Sequence, residues 1–238
     1  AGKQVMVSLV VCEVHGECTT DKKVHGVACC TNCKQWQSKD TVEIKINLPN
    51  HYNCSIIDFH GRTLLASRLG YVGSKVFLHE LDSNYQPTWS KPLDVKMVGA
   101  MIGAEDPRLF MHAGRLHVAI TGYMNITGPS ITRQLVALLR DDLTVERVWE
   151  PQYAKSHTWE KNWQPFTYDG AIHFVYMISP HIVLRCEGIA AFEVFRTSGV
   201  VDLGKGIMLR GGAAPVRRGD QWYSFFHTFS KNARGRAD

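Results

Sequence analysis

Four times along this chain a glycine stands in a turn and leads into an apolar strand: His60-Gly61-Arg62-Thr63-Leu64-Leu65-Ala66, Ala113-Gly114-Arg115-Leu116-His117-Val118-Ala119, Asp169-Gly170-Ala171-Ile172-His173-Phe174-Val175 and Arg218-Gly219-Asp220-Gln221-Trp222-Tyr223-Ser224. Successive glycines are 53, 56 and 49 residues apart, about the length of one four-stranded propeller blade. Eight residues before them stand Asn53, Asp106, Asn162 and Gly211, each opening a run that continues to the turn. The innermost strand of a propeller blade starts near the central axis, so these positions are predicted to converge on one funnel. The strand after each glycine ends near Arg68, Tyr123, Tyr176 or His227, which would return to the funnel rim. Tyr123 and Tyr176 read equally as half-buried aromatics at strand ends.

Between the hairpins, Ser74 to Leu81, Gln134 to Leu139, Val145 to Trp149 and Ile182 to Phe195 read as outer strands, and helical periodicity is scarce. The predicted fold is all-β, a five-bladed β-propeller with four clear repeats in residues 50–238. Residues 1–49, a Cys-containing segment with strand-like runs at Gln4 to Val14, Val24 to Cys29 and Thr41 to Leu48, are predicted to complete the closing blade and so remove exposed sheet edges.

Composition narrows the function classes. The net charge of +5 comes from 27 basic and 22 acidic residues scattered through apolar runs, which argues against a nucleic-acid partner and suits either a solvated basic surface or a cleft for a small anion. No apolar run reaches the roughly 20 residues of a membrane helix, so no membrane partner is expected. Five of the seven cysteines, Cys12, Cys18, Cys29, Cys30 and Cys33, crowd the N-terminus. Cys30-Thr31-Asn32-Cys33 has no second pair at a zinc-ribbon spacing, so disulfides or free thiols are expected ahead of a metal, and no metal is assigned. There is no P-loop, no GxGxxG and no GxSxG elbow.

With these residues laid out, the sequence resembles the five-bladed β-propeller family of β-mannoside phosphorylases and related mannosyltransferases and hydrolases, glycoside hydrolase family 130, over most of residues 50 to 230. The resemblance rests on Asn53-Cys54-Ser55 with Ser67-Arg68, Glu105-Asp106-Pro107-Arg108, Glu160-Lys161-Asn162-Trp163 with Phe166, Tyr176 followed by Pro180-His181, and Gly211-Gly212-Ala213-Ala214-Pro215 followed by Phe226-His227. It implies that Asp106 is the general acid, acting through a sugar hydroxyl, while inorganic phosphate attacks the anomeric carbon with inversion. It implies a phosphate-binding set of Arg68, Arg133, Lys161 and His227, and substrate contacts from Asn53, Arg108, Tyr123, Asn162, Trp163 and Tyr176. Inorganic phosphate or a sugar 1-phosphate would be co-substrate, with an oligosaccharide or sugar phosphate as partner and no further cofactor. The Thr228 after His227 and the Cys-rich N-terminus depart from the family pattern.

Each assignment has a plain alternative in the residues themselves. Asp before Pro107 is a common turn former, Lys161 reads as a surface residue, His227 as a core histidine and Trp163 as a blade-core aromatic. Glu105 is expected to point away from Asp106, because successive strand side chains alternate faces, and so to have a structural or supporting role. Arg108, two residues on, is expected beside the Asp106 carboxylate. The competing functions are a non-catalytic glycan-binding propeller and a protein-interaction propeller.

Overall fold

The computed structural model describes residues 5–8, 43–70, 73–95, 101–124, 131–200 and 207–230, and every regular element among them is a β-strand. Strand β1 (Val5–Ser8) pairs antiparallel with β2 (Glu43–Ile46). Blade 1 is a meander of β3 (His51–Phe59), β4 (Arg62–Leu69), β5 (Lys75–Leu81) and β6 (Pro87–Pro92). Blade 2 repeats it with β7 (Met101–His112), β8 (Arg115–Met124), β9 (Ile131–Leu139) and β10 (Val145–Trp149). In blade 3, β11 (Gln152–Tyr153) adds a parallel outer strand to the meander of β12 (Gln164–Tyr168), β13 (Ala171–Met177), β14 (Ile182–Glu187) and β15 (Ala190–Arg196). Blade 4 is one interrupted hairpin, β16 (Ile207–Gly211) with β19 (Phe226–Ser230) and β17 (Val216–Arg218) with β18 (Gln221–Tyr223). Successive sheets in this order make a β-propeller, as the glycine repeat predicts. The expected strand runs before Thr41 lie, apart from β1, outside the described residues, as do Cys12 to Cys33.

The repeat follows from turn geometry. His60-Gly61, Ala113-Gly114 and Asp169-Gly170 each have positive φ at both turn residues (52° and 74°, 49° and 72°, 47° and 67°), the type I′ turn whose twist matches the flanking strands and whose second position favours glycine. The fourth hairpin differs: it turns at Gly219-Asp220, with glycine in the first position at φ 60°. The register there moves by one residue, and Gly212 rather than Gly211 is equivalent to Asn53, Asp106 and Asn162.

The blades pack face to face, and alternation along each strand splits its side chains between two interfaces. Leu116, Val118 and Ile120 of β8 meet Leu64, Ala66 and Leu78 of blade 1, while Ala119 joins Val136, Phe174 and Leu184 on the blade 3 side. Strands buried on both faces explain near-continuous apolar runs without helical period. Ile46 and Leu48 cover Leu65 and Leu81, on the blade 1 face turned away from blade 2.

In each of the first three blades one side chain of the inner strand, two residues after the repeat position, bonds to the next blade. Ser55 Oγ accepts from the Leu109 amide at 2.9 Å. Arg108 donates to Trp163 O (2.7 Å), Asn162 Oδ1 (3.3 Å) and, in blade 4, Gly211 O (3.0 Å). Gln164 Nε2 donates to Ala213 O (2.8 Å) and Phe225 O (2.6 Å). Arg108→Lys keeps the charge but cannot span three acceptors; leaving buried carbonyls unmet costs about 1–3 kcal/mol each. The variant is expected to unfold about 2–4 kcal/mol more easily in denaturant titration.

A second prediction concerns acid. Burial is the main cause holding His79 and His117 at a pKa of about 4, below the ordinary 6.5. As pH falls through 6.5 the unfolded chain gains protons that the folded chain refuses until about 4. The stability these rings contribute is therefore complete above pH 6.5 and lost between 6.5 and 4, on the order of 3 kcal/mol for each. Denaturant midpoints are expected to decline across that window, and His117→Phe to flatten part of the decline.

Candidate active site

A cavity of about 420 Å³ opens where the inner strands of the four blades begin, a volume in the range of small-molecule sites. Asn53, Asp106, Asn162 and Gly212, one from each blade, line it, with the cationic side chains of Arg68, Arg108, Lys161 and Arg210 and the ring of His227. Residues some fifty positions apart therefore share one pocket, as the repeat predicts.

The backbone at the repeat position is left-handed in three blades: φ is 51° at Asn53, 50° at Asp106 and 66° at Asn162. Asn and Asp are the non-glycine residues that adopt this conformation most readily. In blades 1 and 2 it creates a β-bulge, with register shifts between Tyr52 and Ser55 and between Glu105 and Arg108. A bulge re-aims side chains. Glu105 stays out of the cavity lining that Asp106 joins, yet beside this bulge both carboxylates reach Arg68.

Asp106 Oδ1 accepts from Asn53 Nδ2 at 2.6 Å and from Arg68 Nη1 at 3.3 Å. The other arm of the same guanidinium, Arg68 Nη2, lies 2.5 Å from Glu105 Oε1. Arg68 Nε donates to Gly70 O at 3.2 Å, and the guanidinium sits 5.0 Å from the centroid of the Tyr52 ring. Glu105 is only 3% exposed. Burial raises its pKa, with the Asp106 charge adding to that effect and Arg68 and Lys161 opposing it. Arg108 is the deeper cation: burial lowers its pKa to about 10, with Asp106 opposing, and it donates hydrogen bonds to framework oxygens of blades 3 and 4. Arg210 and His227, both in the cavity lining, are directly paired on β16 and β19. Desolvation lowers the pKa of both, and for His227 the neighbouring cations Arg210 and Arg108 add to it.

Of the residues singled out in the sequence, Asn53, Arg68, Asp106, Arg108, Lys161, Asn162 and His227 line the cavity. Trp163 does not: it is 1% exposed, packs edge-on against Phe174 and Tyr176, and donates its indole N–H to Glu160 at 2.8 Å. The Tyr176 hydroxyl also bonds Glu160, at 3.2 Å. Both aromatics thus belong to the blade 3 core, the alternative left open for Trp163. Tyr123 lies outside the lining, with its ring 6.4 Å from that of Trp159, close enough to Glu105 for that charge to raise its pKa alongside burial. Arg133 is held elsewhere, bonded to the carbonyls of Thr132, His157 and Thr158 and paired with Glu150 at 3.3 Å. Arg210 is the cavity cation that sequence reasoning missed; its position directly before Gly211 in a motif strand was the available signal. Among the described residues no cluster of His, Cys, Asp or Glu forms a metal site.

No family profile matches the sequence, and no curated protein does. Solved structures do match. One is a thermostable family-43 glycoside hydrolase (TM-score 0.54, 14% identity, 76% of this chain and 66% of that one). Another comes from family 130 of mannoside phosphorylases, a family that contains glycoside hydrolases targeting β-1,2-mannosidic linkages in Candida mannan (TM-score 0.54, 17% identity, 79% of this chain and 62% of that one). A third is the GH43_1 enzyme of Xanthomonas citri complexed with xylose (TM-score 0.51, 12% identity, 85% of this chain and 78% of that one). The chain spans just under two thirds of the length of the first two. At these identities the likeness is one of architecture: the chain has the β-propeller fold found in glycoside hydrolase families 130 and 43.

Proposed function

We propose that the protein is a carbohydrate-active enzyme that cleaves or forms a β-mannoside-type glycosidic bond, using phosphate or a sugar 1-phosphate, with Asp106 as its general acid. In the cleaving direction a phosphate oxygen forms a bond to the anomeric carbon as the glycosidic carbon–oxygen bond breaks on the opposite face, and configuration inverts. The leaving oxygen receives the proton of Asp106, directly or through a sugar hydroxyl. In reverse, the Asp106 carboxylate takes the proton of the acceptor hydroxyl as phosphate departs.

The observation that carries this reading is the cavity's asymmetry of charge. Among the described lining residues Asp106 is the only carboxylate, beside the cations Arg68, Arg108, Lys161 and Arg210 and the ring of His227. An inverting hydrolase needs a second carboxylate roughly 6.5–9.5 Å away to activate water. A phosphate nucleophile arrives charged and needs cations instead, which favours phosphorolysis over hydrolysis here. The fold shared with the family 130 mannoside phosphorylases supports the sugar class. The anion wall in this reading is Lys161, Arg210 and His227. Arg68 belongs with the carboxylates and Arg133 outside the cavity.

Phosphate release from mannose 1-phosphate with a panel of acceptors tests it. Asp106→Asn is a clean variant, since Asn holds the same left-handed backbone at 53 and 162, and is expected to lower kcat about 100-fold or more. Sugar binding with no turnover in the unmodified chain would instead give the non-catalytic glycan-binding reading. Arg210→Ala is expected to raise the KM for phosphate about tenfold or more while changing kcat less, measured by initial rates in the phosphorolytic direction.

A further inference from the structure

Arg133 stays outside the cavity, yet it holds the segment that carries two cavity residues. It stands on β9 of blade 2, and its Nη1 alone donates to three carbonyls, Thr132 O and His157 O at 3.1 Å and Thr158 O at 3.3 Å. Its Nε pairs with Glu150 Oε1 at 3.3 Å, just past the end of β10. Blade 2 and this segment also exchange backbone bonds: the Thr132 amide donates to Thr158 O and the Glu160 amide to Thr132 O, each at 3.2 Å. The segment then closes on the buried Glu160 carboxylate, which accepts from the His157 amide at 2.5 Å and from the Trp163 indole at 2.8 Å. Lys161 and Asn162, inside that closed stretch, line the cavity.

We propose that Arg133 is a positioning residue: it grips the segment that carries Lys161 and so sets where that ammonium meets the anion, without touching the anion itself. This rests on the reading of Lys161 as part of the anion wall. A lysine ammonium is a point charge on a flexible four-carbon stem, so its charge stays in place only where its backbone does. Between β11 and β12 no strand ladder supplies that support; the isolated pairing of Trp159 with Thr132 is the one bridge among the described residues there. Glu160 ties the segment to the core of blade 3, and Arg133 ties it to blade 2. With Nη1 on three carbonyls and Nε on a carboxylate, the guanidinium is committed to framework.

Two measurements on the full chain test this and keep it apart from the reading it rests on. The first needs neither turnover nor ligand. Amide hydrogen exchange at Thr132 and Glu160, whose bonds join blade 2 to the segment, is expected to speed up about tenfold or more in Arg133→Met. The Leu109 amide, bonded to Ser55 at the seam of blades 1 and 2, is expected to keep its rate. Unchanged rates at Thr132 and Glu160 overturn the proposal. The second is a double-mutant cycle on the Kd for inorganic phosphate, read by calorimetry. Arg133→Met is expected to weaken phosphate about 5- to 20-fold, and to add nothing once Lys161→Met is in place. Arg133→Lys, with three donors on one nitrogen, is expected to restore part of the loss. A further loss of the same size in the Lys161→Met background would make Arg133 a direct ligand of the anion and overturn the proposal. Arg133→Gln, which keeps a donor, takes the place of Arg133→Met in both measurements if the latter does not fold. No phosphate binding in the unmodified chain, with both amides speeding up, would overturn the phosphorolytic reading and the part of Arg133 in it, and leave Arg133 as the tie between blade 2 and the segment.

Discussion

The buried guanidinium of Arg108 is the interaction on which the arrangement of blades depends. Taking a cation out of water costs several kcal/mol, even after relaxation, unless its donors are met. Arg108 meets that demand with Trp163 O, Asn162 Oδ1 and Gly211 O, drawn from two other blades. Burial lowers its pKa only to about 10, so it stays charged at neutral pH. The same residue fixes how closely blade 4 approaches blade 3. A Cβ on Gly211 would lie 2.3 Å from Asn162 O, so only glycine fits where Arg108 draws the two backbones together. Ser55 and Gln164 do the equivalent work at the two other seams, a hydroxyl and an amide in the place of a guanidinium.

Much of the architecture was legible in the sequence because the turn imposes a residue type. A type I′ hairpin needs positive φ at both centres, so glycine recurs at 61, 114 and 170, and the blade period shows through it. The residue type eight positions earlier is set by the backbone as well. A left-handed residue heading the inner strand admits Asn, Asp or Gly, which accounts for Asn53, Asp106 and Asn162, whereas Gly212 is required by close approach, since a Cβ there would lie 2.9 Å from Phe225 O. Blades 1 and 3 meet the requirement with Asn, so the carboxylate at 106 is a choice that backbone geometry does not dictate, and it is the one of the three that pairs with Arg68. The bulge itself left no such mark. Strand alternation read from sequence gave no sign of the extra residue in the ladder, beside which both Glu105 and Asp106 reach Arg68.

The cavity residues divide in the same way. Positions tied to the repeat were readable: Asn53, Asp106 and Asn162 at the strand heads, and Arg68 and His227 at the returning ends, all line the pocket. Aromatic residues were not, because a tryptophan or tyrosine suits a sugar platform and a blade core equally well by composition. What decided Trp163 and Tyr176 was Glu160, buried beneath them and accepting from both. Arg133 was misleading for a similar reason: its partners are backbone carbonyls at 132, 157 and 158, which no pattern of side chains announces.

Because the cavity takes one strand head from each of four blades, it has no precursor in any smaller piece of the fold. A chain with only its first two hairpins in place would hold Asp106 against Asn53 and Arg68, yet have neither Lys161 nor Arg210 across from it. The Asp106 side chain would then lack the cations that blades 3 and 4 bring to the cavity. Local order in a single blade therefore does not build the pocket, which forms only as the four blades come together. A lesion at any blade seam, even one remote from the pocket, disturbs the cavity along with the contact.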